Sequence, residues 1–158
     1  MRVLLIIDNA NMAAQELYNM VMRDSFPGWG VSRMSGLPQS PDAILRGYTL
    51  AIYEIGKEDD PRRYKGALAL WDEIKDMGTV KMITHIEGPY RDAIVAELEE
   101  HGIVCVASPF GPETVQAALE SVAPVVKKAS ARGEEVGKAA RDAASRGGLL
   151  RGLFRRGG

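Results

Sequence analysis

Cysteine occurs once in the 158 residues, as Cys105. No internal disulfide can brace the chain, and a reducing compartment suits it. Long apolar runs are absent as well, and nothing approaches the roughly 18–20 residues needed to cross a bilayer. The first apolar run, Val3-Leu4-Leu5-Ile6-Ile7, is cut short by Asp8 and has no small-residue cleavage site after it, so it does not read as a signal peptide. These absences point to a cytoplasmic protein. Neither G-x-G-x-x-G nor G-x-x-x-x-G-K-[ST] occurs, which argues against nucleotide phosphates held by a glycine-rich loop. No Ser-His-Asp arrangement can be argued from spacing, and there are only two histidines, His85 and His101.

Net charge is almost absent too, at −1, but the average hides an asymmetry. From Lys127 onward there are nine Lys/Arg against three Asp/Glu, a surplus of six positive charges. Residues 1–126 carry eleven basic and eighteen acidic groups, a surplus of seven negative charges. An acidic body is a poor non-specific binder of nucleic acid, because phosphate neutralisation supplies most of that affinity. A basic tail on an acidic body suggests that the tail has a partner of its own.

What is present alternates strand and helix. Val3–Ile7 reads as a strand buried on both faces. Ala13–Arg23 places Leu17, Met20 and Val21 at helical spacing, with Asn11 as its N-cap. Residues 24–47 hold three prolines and four glycines and read as a long punctuated loop. Tyr48–Ile55 is the next strand, and Arg62–Met77 is a helix with Ala67, Leu70, Trp71 and Ile74 on one stripe, capped by Asp60 and ended by Gly78. Thr79–Ile86, the helix Tyr90–His101, the strand Ile103–Ser108 and the helix Pro112–Val126 complete the series. The pattern predicts an α/β three-layer sandwich with a mostly parallel sheet of four strands or slightly more. Two units follow: an α/β domain over 1–126, and a basic Ala/Gly/Arg-rich tail over 127–158, helical or disordered.

In such sheets ligands lie at the carboxyl ends of the strands. That rule gathers Asp8, residues 56–60, residues 87–92 and residues 108–111 on one rim. A carboxylate such as Asp8 is costly to bury without a partner, and a hard cation held by carboxylates and waters is one solution. The plainer reading is that Asp8 and Asn11 cap the following helix. Asp92 reads equally well as a first-turn residue complementing the helix dipole. His85 reads as a packed strand residue and Cys105 as a core thiol. Phe26 and Trp29 suit the anchoring of their own loop, with base stacking beside Arg33 as the alternative. At the far end, Leu149, Leu150, Leu153 and Phe154 alternate with arginines. This gives a short apolar face and a basic face suited to docking on a protein assembly or a membrane surface.

The stretch Arg2-Val3-Leu4-Leu5-Ile6-Ile7-Asp8-Asn9-Ala10-Asn11-Met12 resembles the opening of NYN domains, in the PIN-like nuclease family. There the first strand ends in an Asp followed three residues later by Asn and an apolar residue. Gly88-Pro89-Tyr90-Arg91-Asp92 and the helix after it resemble the segment carrying that family's late acidic pair, although Pro89 stands where an Asp is usual. The resemblance implies a metal-dependent, RNA-cleaving domain, catalytically degenerate or rearranged. Asp8, Asn11 and Asp92 would act in catalysis, and Asp8, Glu87 and Asp92, with Asp59 or Asp60, would hold Mg²⁺ or Mn²⁺. Asn9, Trp29 and Arg33 would contact the nucleic acid. The alternative is a non-catalytic α/β module, able to self-associate, that docks to a larger assembly or a membrane surface through its C-terminal peptide.

Overall fold

The computed structural model describes residues 1–7, 11–57, 61–106 and 109–125, together with isolated tail positions 135, 138, 139 and 141. Five strands form one parallel sheet: β1 (Arg2–Ile6), β2 (Gly30–Met34), β3 (Leu50–Lys57), β4 (Lys81–Glu87) and β5 (Val104–Cys105). The helices are α1 (Met12–Ser25), α2 (Pro41–Leu45), α3 (Pro61–Ile74), α4 (Arg91–Glu100) and α5 over residues 112–125. The spatial order of the strands is β2-β1-β3-β4-β5. The chain therefore leaves β1 toward one edge and returns to build β3, β4 and β5 on the other side. Right-handed crossovers in two directions distribute the helices over both faces.

Strand alternation divides the core in two. Val3, Leu5, Ile7, Leu50, Ile52 and Ile83 face α1 and α5, meeting Ala14, Tyr18, Val115 and Leu119. Leu4, Ile6, Ala51, Tyr53, Ile55 and Met82 face the other way, meeting Leu45 of α2, Leu70 and Ile74 of α3 and Leu98 of α4. A strand apolar on both sides is what a sheet covered on both faces requires, and each fully buried Leu or Ile contributes about 1.5–3 kcal/mol.

The predicted α/β architecture with a parallel sheet is the observed one. The sheet has one strand more than the four read from the chain, because the punctuated segment 24–47 contains β2 and the short α2. The strand G-V-S-R-M is mostly exposed at the sheet edge, pairs only β1 within the sheet and lacks the apolar run that betrays a central strand. Gly78, with φ of 67°, ends the helical stretch in the left-handed conformation, as its place after Met77 suggested. The proposed Asp60 cap and the docking residues Leu149, Leu150, Leu153 and Phe154 lie outside the described residues. No helix among the described residues is long and apolar enough to cross a membrane.

Candidate functional site at the carboxyl end of the sheet

The order of strands reverses between β1 and β3, and the carboxyl ends of these two strands border the crevice where ligands bind in open parallel sheets. A connected set of polar side chains sits there, on the α1/α5 face.

Asn11 is the N-cap of α1: its Oδ1 accepts from the Ala14 N–H at 3.2 Å. Its Nδ2 donates to Glu54 Oε1 at 3.1 Å. Glu54 lies near the end of β3 and is 1% exposed. The register between β3 and β4 slips just after it, with Glu54 opposite His85 but Gly56 opposite Ile86, so Ile55 is an extra residue on β3. Bulges of this kind re-aim side chains near strand ends.

His85 Nδ1 lies 3.8 Å from Glu54 Oε1, and His85 Nε2 lies 3.4 Å from Glu87 Oε1. The imidazole is buried, whereas Glu87 is 60% exposed at the end of β4. The Nε2 contact with Glu87 is at the long limit of a hydrogen bond, and the Nδ1 contact with Glu54 lies beyond it. Burial pushes the His85 pKa below the ordinary histidine value, outweighing the upward pull of Glu54 and Glu87. Phe110 stacks on the imidazole at a centroid distance of 3.7 Å and an interplanar angle of 17°. The same ring tilts against Tyr18 of α1 at 5.8 Å.

Tyr18 is wholly buried, and among the described residues its hydroxyl has no hydrogen-bond partner. Burial, and secondarily the Glu54 carboxylate, push its pKa far above the usual phenol value. An unpaired buried hydroxyl costs about 1–3 kcal/mol. Tyr18→Phe is therefore expected to raise stability by about 1 kcal/mol, measured by urea unfolding. A loss of stability would show that the hydroxyl is satisfied in solution.

Of the residues proposed from the sequence, Asn11 and Glu87 belong to this cluster. Asp92 is on the surface in the first turn of α4, its side chain 88% exposed and its Oδ1 held by Arg91 at 2.7 and 3.0 Å. Trp29 packs against Phe26 at 4.5 Å between ring centroids, which is the loop-anchoring geometry. The Arg33 guanidinium donates to Gln15 Oε1 of α1. Asp8, Asn9, Asp59 and Asp60 lie outside the described residues. Among the described residues no group of three His, Cys, Asp or Glu side chains is arranged to hold a metal ion; Glu54 and Glu87 approach His85 from opposite ring nitrogens. Cys105 is half-buried beside Thr84 Oγ1 at 3.3 Å, and burial pushes its thiol pKa up.

Sequence reasoning passed over Glu54 because it stands inside the strand run Y-T-L-A-I-Y-E-I. The available signal was a lone charge in an otherwise apolar buried strand. Phe110 was placed on the rim but given no role, since its contacts with His85 and Tyr18 cross long stretches of chain.

Neither a scan of family models nor a search of curated proteins finds a match. Solved structures do match. An orphan response regulator of H. pylori superposes with a TM-score of 0.53 at 16% identity, covering 80% of this chain and 96% of that one. A response regulator from Thermotoga maritima gives 0.52 at 15% identity, over 80% and 98% of the two chains. A signal receiver domain of a two-component histidine kinase from Clostridium thermocellum gives 0.53 at 17% identity, over 80% and 97%. The fold is that of response-regulator receiver domains.

Receiver-type similarity overturns the NYN and PIN-like resemblance, and with it the ribonuclease reading and the RNA substrate it implied. The Asn-apolar half of the pattern has a local cause, because Asn11 is the N-cap of α1 and Met12 its first residue. The late segment compared with an acidic pair is an exposed first helical turn, with Asp92 engaged by its neighbour Arg91.

Proposed function

We propose that the chain is a receiver-type binding module that acts by protein contact rather than by catalysis, with the carboxyl rim of its sheet as the working end. The observation that carries this reading is the polar set Asn11–Glu54–His85–Glu87 at the reversal point of a sheet with the fold of receiver domains. The buried Glu54 carboxylate and His85 imidazole have no packing purpose that Leu or Val would not serve better, and Asn11 and Glu87 border them, so the set suits recognition. Self-association and docking of the tail onto a protein assembly belong to the same proposal. The basic surplus of residues 127–158 supplies the contrast with an acidic body.

Mg²⁺ or Mn²⁺ at this rim is compatible with the receiver fold. The described residues alone do not assemble a site for either ion, so no step is routed through a metal. The test is proximity labelling in cells with the full chain, with residues 147–158 deleted, and with Glu54→Gln. Loss of a shared set of labelled proteins on deletion, and a changed set with Glu54→Gln, is the expected result. Identical labelling for all three would sink the proposal.

A further inference from the structure

The stretch 109–111, just before α5, is tied down on both sides of the Phe110 ring. The Thr114 hydroxyl accepts from the Gly111 N–H at 3.0 Å and lies 2.9 Å from the Pro109 carbonyl oxygen and 3.0 Å from that of Gly111, sharing its single proton between them. The Val115 N–H donates to the Gly111 carbonyl at 3.0 Å, starting α5 at the same point. One threonine thus latches the backbone before and after Phe110.

The ring so held covers groups that gain little from being covered. It stacks on His85 and touches Tyr18; among the described residues the phenol oxygen has no hydrogen bond, and the imidazole nitrogens meet only long contacts, Glu87 at 3.4 Å and Glu54 at 3.8 Å. Buried polar groups paired this poorly cost free energy, which offsets part of the gain from burying the aromatic ring. Closing the ring stabilises the aromatic contact, whereas opening it hydrates these polar groups. Opposed contributions of this kind favour two accessible states.

We propose that Phe110, latched by Thr114, is a gate over the buried Glu54–His85 pair, and that swinging the ring outward is what makes this pair reachable. The proposal rests on the rim being the working end. Its test reads opening alone, so the gate can fail while the binding reading stands.

The experiment is carbethoxylation of the full chain with diethyl pyrocarbonate at neutral pH, followed by mass spectrometry of both histidines. His101 is exposed and serves as the internal reference. Cys105 lies half-buried against the opposite core, so its alkylation rate reports general loosening. Phe110→Ala is expected to raise His85 labelling relative to His101 on the order of tenfold, as fits the loss of one aromatic stack. Cys105 is expected to stay unchanged. Thr114→Val, which leaves the ring intact, raises it by a smaller factor. Unchanged His85 labelling in folded Phe110→Ala overturns the gate, as does a parallel rise at Cys105. If Phe110→Ala does not fold, Thr114→Val decides alone: a selective rise at His85 supports the gate, and no rise overturns it.

Discussion

Asn11→Ala is expected to cost about 3 kcal/mol, from a cap worth about 0.5–2 kcal/mol and a hydrogen bond to a carboxylate worth about 1.5–3 kcal/mol. In a domain of this size that lowers Tm by about 10 °C. The side chain works at both ends: Oδ1 starts α1 through the Ala14 N–H, and Nδ2 reaches across to Glu54 on β3. These two contributions can be separated. Asn11→Ser keeps an oxygen able to cap and removes the amide donor, so it should lose only the part owed to Glu54. Asn11→Asp keeps a good cap but sets a carboxylate where the amide met a buried carboxylate, and it should fall below Asn11→Ser at neutral pH. Thermal melts of the three variants check the ranking. Equal melting temperatures for Asn11→Ser and wild type would mean that the contact with Glu54 adds no stability, and the rim cluster would lose its anchor to α1.

That double role explains what could be read from the chain and what could not. The N-cap was legible, because a cap is satisfied within four residues by geometry that the local sequence dictates. The central strands were legible for a similar reason: Val3–Ile7 and the run around Ile52 are apolar on both faces, which only a covered parallel sheet explains. β2 was not, since Gly30–Met34 is an edge strand whose partner is β1, and its exposed pattern looks like a loop until β1 is beside it. The site was half legible. A rim at the carboxyl ends of the strands follows from topology, and it contains Asn11 and Glu87. Its centre does not follow, because Glu54 is joined to Asn11 across 43 residues of chain. His85 gains its meaning only from its place opposite Glu54 and beneath Phe110. The family resemblance erred in the same way, since a local capping pattern was read as a catalytic one.

His85 should make the protein acid-sensitive in a way that one substitution removes. Burial holds its folded-state pKa below the ordinary value of 6.5. The unfolded chain therefore takes up a proton at a higher pH than the native protein does. The sign follows from linkage: between the two values the unfolded state binds more protons, so stability rises with pH. The stabilisation owed to neutral His85 is full above pH 6.5 and is lost as the pH falls from there through the lower folded value. Its slope cannot exceed about 1.4 kcal/mol per pH unit, the limit for one proton. Glu54 and Glu87 face the two ring nitrogens and oppose the effect, and Phe110 and Tyr18 complete the apolar side of the site. Chemical denaturation of wild type and His85→Leu across mildly acidic pH measures the difference. Because the other titrating groups are present in both proteins, the difference between the curves reports the imidazole together with its coupling to Glu54 and Glu87. Parallel curves would mean that the buried imidazole titrates alike in the folded and unfolded chains, and that the seal above it does not exclude water.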